Sequence, residues 1–465
     1  MSPSPTPSNI IWITTDHMRY DCIGAHGNSA MHTPNLDRLV ENGVSFNRCY
    51  ANNPVCMPSR CSFMSGCYPQ QTGVMTNGQE LDPAFYPTVA RCFAAGGYRT
   101  AQIGKLHFEN HEDHDLDPRP RNSYGFQVFQ LSEEPGCYED AYRTWLQTEY
   151  PDLVETFTVL RPSSPQRLTA DQERMKVLEA PWEASHSGWV ATQACRYLAT
   201  WARRPEPQFL HLGFYAPHPP LNPTSEMFAP YDQAEVMPLT RSEIDWNDPQ
   251  KLDPDTLLEY RRHFYAMVTG VDMAVGRILT ELEEKGMLED TLIVFCSDHG
   301  DTCGDHGRVG KGPDYYESIM RVPLIFHWPR GLSGSEGRKI EEKIEMVDVL
   351  PTLLNLANLS VPAEMQGNSY AEALRSGTPV QGREDVYAVH APGHIMLRTD
   401  RYKYIRYNRK TEPKEVLYDL HQDPDEFVNV VEDHGYQDVL TNLRHRALTR
   451  TLNASDSIQQ ERLRF

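Results

Sequence analysis

No stretch of the 465-residue sequence approaches the roughly 20 consecutive apolar residues that cross a bilayer, so a membrane is not expected as a partner. Basic charge is scarce too: 44 Lys and Arg face 64 Asp and Glu, a formal charge of −20. That balance argues against nucleic acid, whose binding needs a cationic face. It leaves room for a small anion held by a few local cations. The first residues, MSPSPTPSNIIWITTDH, lack the basic and apolar regions of a secretory leader, and a cytoplasmic placement is expected. Ten cysteines are present, yet Cys49, Cys56, Cys61 and Cys67 form no Cys-x2-Cys pair and the others are scattered. Zinc knuckles and a disulfide framework are therefore not indicated, and most of the thiols are expected to be reduced and buried. The chain has no internal repeat, and no low-complexity tract beyond its Pro/Ser-rich first eight residues.

What the chain does have is one pattern used several times, an apolar strand-like run ending in chemically capable polar residues. NIIWITTDH (9–17) runs into Asp16, and TAQIGKLHF (100–108) delivers Lys105 and His107. QFLHLGFYAPHPP (208–220) delivers His218 where two prolines must stop the strand, and TLIVFCSDHGD (291–301) ends at Asp298 and His299. VPLIFHWP (322–329) reads as a further core strand. Helix-like stretches lie between them, at 33–43 and 259–286, the second closing on a Lys-Gly stop signal. Buried runs alternating with amphipathic helices predict an α/β fold with a mostly parallel, helix-flanked sheet. In such sheets ligands bind beyond the carboxyl ends of the strands, so four polar strand ends predict one composite pocket.

Residues 109–185 are rich in acids, Pro and Tyr without a clear period, and read as an insertion over one edge of the sheet. After about residue 375 the pattern becomes β-like in EDVYAVHA, HIMLRTDRYKYIRYN and EVLYDL, followed by a helix-like 440–454. This predicts a smaller antiparallel sheet with a helix. The expected division is a catalytic domain over 1–375 and a C-terminal α+β subdomain over 385–465, joined by SGTPVQGRED (376–385). The tail LTRTLNASDSIQQERLRF reads as either a frayed end or an arm for a homo-oligomer.

Asp16, Asp298 and His299, with His17 beside them, form a candidate cation site. Carboxylates suit Ca²⁺, Mg²⁺ or Mn²⁺, and imidazole pulls the preference toward transition metals. Lys105, His107, His218, Lys311 and Arg60 supply cations and protons. Such a pocket fits a tetrahedral oxyanion whose leaving oxygen gains charge as its ester bond breaks. The remaining puzzle is NNPVCMPSRCSFMSG (52–66), a thiol in a Pro-flanked turn with Arg60 four positions on. Three residues between Cys and Arg are too few for a tyrosine-phosphatase loop, which needs five.

Cys-x-Pro-Ser-Arg at 56–60 resembles the signature by which type I sulfatases have their cysteine oxidised to formylglycine. DHMRYD, TPNLDRL, GYRTAQIGKLHF, PHPP, the SDHGD to RVPLIF stretch, and RTDRYKYIRY with LYDLHQDPDEFVN also look like sulfatase segments, in the family's order. On these motifs the chain resembles the formylglycine-dependent sulfatases of the alkaline-phosphatase superfamily. The resemblance implies hydrolysis of a sulfate monoester, of a small molecule or an oligosaccharide, and a maturation enzyme that generates the formylglycine. It implies Cys56 as nucleophile precursor and metal ligand, with Asp16, His17, Asp298 and His299 on one divalent cation. That cation is expected to be Ca²⁺ first, with Mn²⁺ or Zn²⁺ as alternatives. Arg60 supports the hydrated aldehyde, and Lys105 and Lys311 grip the sulfate. His107 takes a proton in the elimination step, and His218 protonates the leaving oxygen.

Two positions depart from the common sulfatase pattern. His17 stands where a second aspartate is usual, and His299 where asparagine is usual. GKLHF, PHPP and these histidines are also similar to phosphonate monoester hydrolases and choline sulfatases, and Asn77 in MTNGQ matches an oxyanion-side asparagine of those relatives. A phosphonate monoester or phosphodiester hydrolase with the same nucleophile is therefore the alternative expectation.

Overall fold

The computed structural model describes residues 5–110, 122–158, 175–201, 204–245, 247–248, 251–332, 334–391, 393–409 and 412–462, with side chains as far as 455. Eight strands build the main sheet: β1 (Asn9–Thr15), β2 (Val44–Phe46), β3 (Arg99–Gly104), β4 (Val128–Leu131), β5 (Gln208–Gly213), β6 (Thr291–Ser297), β7 (Leu324–His327) and β8 (Arg338–Ile340). Their order across the sheet is β8-β2-β7-β6-β1-β5-β3-β4. β1 lies in the middle, parallel to β5 on one side and β6 on the other. Only β7 runs against its neighbours β2 and β6.

The central strands are buried on both faces, and successive side chains feed two different cores. From β1, Ile10 and Trp12 enter one core while Ile11 and Ile13 enter the other. Leu292, Val294 and Cys296 of β6 divide from Ile293 and Phe295 in the same way. This is the period-2 geometry of a strand covered by helices on both sides. One covering layer contains α1 (Pro34–Glu41), α3 (His186–Trp201) and α4 (Pro254–Glu284). The opposite layer contains α2 (Cys56–Phe63). The Asp253 carboxylate accepts from Thr256 N at 3.0 Å and caps α4, which ends at Glu284, just before Lys285-Gly286.

Three expectations are corrected. The stretch around Cys56 is not a turn: residues 56–63 form a helix whose eight side chains are all buried. Pro58 sits in its first turn, where a missing N–H is harmless. VPLIFHWP does form a core strand, but an antiparallel one, because an apolar run carries no information about direction. The 109–185 segment does more than cover an edge, since its β4 is the edge, pairing in parallel with β3; residues 111–121 and 159–174 of it lie outside the described residues.

The C-terminal residues form a four-stranded antiparallel meander, β9 (Val386–His390), β10 (His394–Arg398), β11 (Tyr402–Tyr407) and β12 (Lys414–Asp419). Helix α5 (Gln437–Arg462) packs on one face through Leu440, Leu443 and Ala447. Val386, Ala388, Met396 and Ile405 on the other face belong to the same core as Trp12 and Met57.

Candidate active site

Four strand ends converge as expected. β1 is followed by Asp16 and His17, β6 by Asp298 and His299, β3 by Lys105 and His107, and β5 by the turn that carries His218. Helix α2 brings its first residue, Cys56, to the same point. The Cys56 sulfur lies 3.3 Å from Asp16 Oδ1 and 3.3 Å from His299 Nε2, and it contacts Lys311 Nζ. Lys311 Nζ is 2.7 Å from His17 Nε2. The donor atoms of Asp16, His17, Cys56 and His299 all fall within 4.8 Å of one another.

The fit of this set to a metal can be tested on the hydrogen bonds behind it. His17 Nδ1 is 2.8 Å from Asp301 Oδ2, and His299 Nδ1 is 2.8 Å from the Gly300 carbonyl. Both acceptors require the proton on Nδ1, which leaves Nε2 of each ring as a lone pair facing the cluster. Metal-binding histidines are prepared in this way. The Lys311 ammonium, lying against His17 Nε2 and the Cys56 sulfur, stands in for a cation among these donors. The set fits a metal ion.

Asp298, expected among the ligands, lies beside them with both carboxylate oxygens hydrogen-bonded. Oδ1 accepts from the amides of His17 (3.2 Å) and His299 (2.8 Å), and Oδ2 accepts from Arg60 Nε at 2.8 Å. It therefore ties the ends of β1 and β6 to α2. Arg60 is fully buried; besides Asp298 it donates to the Thr15 carbonyl at 3.1 Å, so this guanidinium is paired as a buried charge must be. His107 is buried, with its amide on Glu133 Oε1 at 2.8 Å and its backbone left-handed at φ 59°. His17 is also left-handed, at φ 71°, a rare conformation for a residue with a Cβ and one that gathers at functional sites. Asn77 is exposed and stands outside the buried cluster; its Oδ1 accepts from Met57 N at 3.1 Å, capping the start of α2.

The electrostatics favour an anionic guest. Arg60, Lys105 and Lys311 face Asp16 and Asp298, and Lys105 Nζ is 2.8 Å from Asp16 Oδ2. Burial alone would raise the Asp16 pKa, but Lys105, His218, Lys311 and Arg60 outweigh it and hold the carboxyl well below its usual range. Burial, followed by Lys311 and His299, pushes His17 well below the ordinary imidazole value, so it is a neutral donor. Burial and the neighbouring Asp16 push the Cys56 thiol up to about 12, against the pull of Lys311. Held protonated in this way, the unmodified sulfur is a poor nucleophile.

Three residues that shape the site were not singled out from the sequence. Asp301 orients His17 while its Oδ1 accepts from Cys303 N (2.7 Å) and Gly310 N (2.9 Å). Tyr215 is buried beside His218, and Glu134 lies behind Tyr215. Asp301 was visible as the last letter of SDHGD, but its partner is 284 positions away.

Comparison with known proteins agrees with this geometry. A family model described as Sulfatase matches residues 8–359, and one described as N-sulphoglucosamine sulphohydrolase, C-terminal, matches 304–453. An arylsulfatase of Clostridium perfringens is 28% identical over 94% of this chain and 92% of its own. A multifunctional alkaline phosphatase superfamily protein of Trinickia caryophylli is 27% identical over 97% and 96%. Among solved structures, a phosphonate monoester hydrolase of Agrobacterium radiobacter superposes with a TM-score of 0.80 at 23% identity, covering 96% of both chains. A protein solved with its substrate D-glucosamine-2-N,6-O-disulfate gives 0.76 at 20% identity, over 98% of this chain and 99% of the other. A matched segment that spans the sheet, the converging strand ends and the Cys56 helix places the chain in the sulfatase family of the alkaline-phosphatase superfamily, and the protein is a sulfatase.

Proposed function

We propose that the enzyme hydrolyses a sulfate monoester through a formylglycine made from Cys56, with one divalent metal ion held by Asp16, His17, Asp298, His299 and the modified Cys56. The observation that carries this reading is the placement of Cys56. Its sulfur sits at the centre of the donor set, yet burial keeps it protonated. A thiol in that position makes chemical sense as the precursor of an oxygen nucleophile.

Once oxidised by a formylglycine-generating enzyme and hydrated, residue 56 carries two hydroxyls on one carbon. One hydroxyl gives its proton to Asp298 as its oxygen attacks sulfur, and the ester S–O bond breaks as His218 gives the departing oxygen its proton. His107 then takes the proton of the second hydroxyl, the aldehyde re-forms, and sulfate leaves without water attacking sulfur. Lys105 and Lys311 hold sulfate oxygens, Arg60 and Asp298 fix the strand ends around the nucleophile, and Asn77 contacts the substrate. The metal ion supplies Lewis-acid stabilisation of the oxyanion. Two imidazoles among its ligands shift the choice from the Ca²⁺ expected by resemblance toward Mn²⁺ or Zn²⁺.

The substrate class we infer is a sulfated saccharide. Relatives include an ulvan-active sulfatase of Formosa agariphila and structures solved with a sulfated glucosamine and with a neocarrahexaose. The net charge of −20 favours a small or short saccharide over a long polyanion. Cytoplasmic residence belongs to the same proposal, supported by ten free cysteines, nine of them buried.

Mass spectrometry of the tryptic peptide 49–60 after co-expression with a maturation enzyme tests the nucleophile. We expect an aldehyde in place of the Cys56 thiol, with Cys49 unchanged, and loss of sulfatase activity in Cys56→Ala. Activity that survives Cys56→Ala would end the formylglycine reading. Side-by-side assays with an aryl sulfate, a phenyl phosphonate and a phosphodiester decide the reaction, and dominant phosphonate turnover would replace the sulfate assignment by the alternative.

A further inference from the structure

A cavity of about 60 Å³ lies against the segment that carries His218, lined there by Tyr215, Ala216 and Pro220. Tyr142, Phe157, Met227 and Met267 supply its apolar wall. Among the described residues, none that lines it is Asp, Glu, Lys or Arg. Tyr215 belongs to both the cavity and the reaction centre. Lys105 Nζ, paired with Asp16 at 2.8 Å, lies 5.0 Å from the centre of the Tyr215 ring. The ring of His186, which also lines the cavity, is 6.3 Å from the same ring. Two contacts therefore lead from the metal donors to the cavity.

His186 is the first residue of α3 and only 7% exposed. Burial, reinforced by Lys105, lowers its pKa to about 3, so the ring is neutral and carries one N–H and one lone pair. The Ser132 backbone approaches the ring, but neither nitrogen completes a hydrogen bond within the protein. Oδ1 of Asn222, another lining residue, is likewise buried without a partner. Buried polar groups are costly when left unpaired, and native sites pair them. Together the two residues offer one donor and two acceptors inside an uncharged wall. A hydroxyl, which both donates and accepts, satisfies that set. A carboxylate or a sulfate does not, because it would be desolvated without a cation to offset the loss. One water takes about 30 Å³ of liquid volume, so the space suits two waters or one hydroxymethyl arm, and is too small for a sugar ring.

We propose that this cavity is a specificity pocket that takes the uncharged hydroxymethyl arm of the sugar bearing the scissile sulfate, with His186 and Asn222 as its hydrogen-bonding residues. The proposal rests on the saccharide reading given above and narrows it to neutral hexoses sulfated on a ring hydroxyl. A pentose has no arm to offer and leaves His186 and Asn222 unpaired. A uronic acid brings a carboxylate against two acceptors and is rejected more strongly still.

The test uses the full-length enzyme, matured and metal-loaded, beside its His186→Phe and Asn222→Leu variants. The substrates are ring sulfates of glucose and galactose, the matching sulfates of xylose and arabinose, which lack only the hydroxymethyl group, and those of glucuronic and galacturonic acid. Each protein is read as the ratio of kcat/KM between a hexose and its matching pentose, so that a general loss of activity cancels. We expect wild type to favour the hexose about 10- to 100-fold and to turn over the uronic acid least. Both variants should bring the hexose-to-pentose ratio close to one. Equal turnover of hexose and pentose sulfates by wild type, or a preference for the uronic acid, would overturn the pocket while the saccharide reading stands. So would a hexose preference that survives both variants, or turnover confined to sulfates of the primary hydroxyl, in which this arm carries the scissile group. An enzyme that cleaves an aryl sulfate and none of these sugars ends the saccharide reading, and the role of the pocket with it.

Discussion

His17 shows how much one side chain can depend on a residue far away in the chain. Its neighbour Asp16 is legible from the sequence as a strand-end carboxylate, and the ring itself as a nitrogen donor. The proton that decides whether the ring can bind a cation is set by Asp301, 284 positions on. Asp301→Asn tests that effect, because the amide oxygen can still accept from Cys303 N and Gly310 N, and the Tyr260 hydroxyl, 3.3 Å from Oδ2, can turn to accept from the new NH₂. Its NH₂ would face His17 Nδ1 and force the ring proton onto Nε2, toward the metal donors. We expect metal affinity to fall by about 10- to 100-fold, with the thermal midpoint of the metal-free protein nearly unchanged. Metal content after dialysis against graded chelator reads this directly, and unchanged retention would remove Asp301 from the design of the site.

At the scale of elements, legibility followed burial. β1, β5 and β6 are readable because both faces are covered and the sequence is mostly apolar. β4, with the sequence VFQL and only half-buried, is an edge strand inside an acidic, Pro-rich stretch and carries too weak a pattern. Helix α2 was hidden for the opposite reason: CMPSRCSF is buried on every side and shows no amphipathic period. Ion pairs between elements were likewise invisible. Asp305 accepts from Arg19, just beyond β1, at 2.7 Å, from Arg261 of α4 at 2.5 Å, and from Leu239 N at 2.9 Å. Burial would raise its pKa, but Arg19 and Arg261 outweigh that and lower it to about 2. A carboxyl depressed in the folded state stabilises above its unfolded value, and that stability disappears as pH falls through the folded value. We expect Asp305→Asn to cost roughly 3 kcal/mol near neutrality, since two buried guanidiniums lose their shared partner. The gap to wild type should narrow as pH falls from about 4 to about 2. Urea denaturation across that range measures it, and a gap independent of pH would rule out the charge mechanism.

For the whole molecule, the question is whether the C-terminal sheet is an attachment or part of one body. One face of it shares a core with Trp12, Met57 and Phe63, through Val386, Ala388, Met396 and Ile405. The segment just ahead of Cys56 is bound to it directly: Val389 N donates to the Asn52 carbonyl at 2.9 Å, and Asn53 Nδ2 donates to the Val389 carbonyl at 2.5 Å. Arg450 of α5 reaches Glu345, a fully buried carboxylate whose pKa burial would raise but Arg383 and Arg450 lower. Separate unfolding of the C-terminal sheet would strip an apolar face, orphan two buried asparagines and leave Glu345 short of a cation, each a cost of order 1–3 kcal/mol or more. The two parts should therefore unfold together. All seven tryptophans lie at or before residue 328, so their fluorescence reports mainly on the part of the chain that holds the large sheet, and hydrogen exchange over 386–419 follows the C-terminal strands. Coincident midpoints in both signals are expected along a urea series. Earlier exchange across 386–419, with tryptophan fluorescence and sulfatase activity still native, would show that the nucleophile's helix stands without the sheet that flanks it.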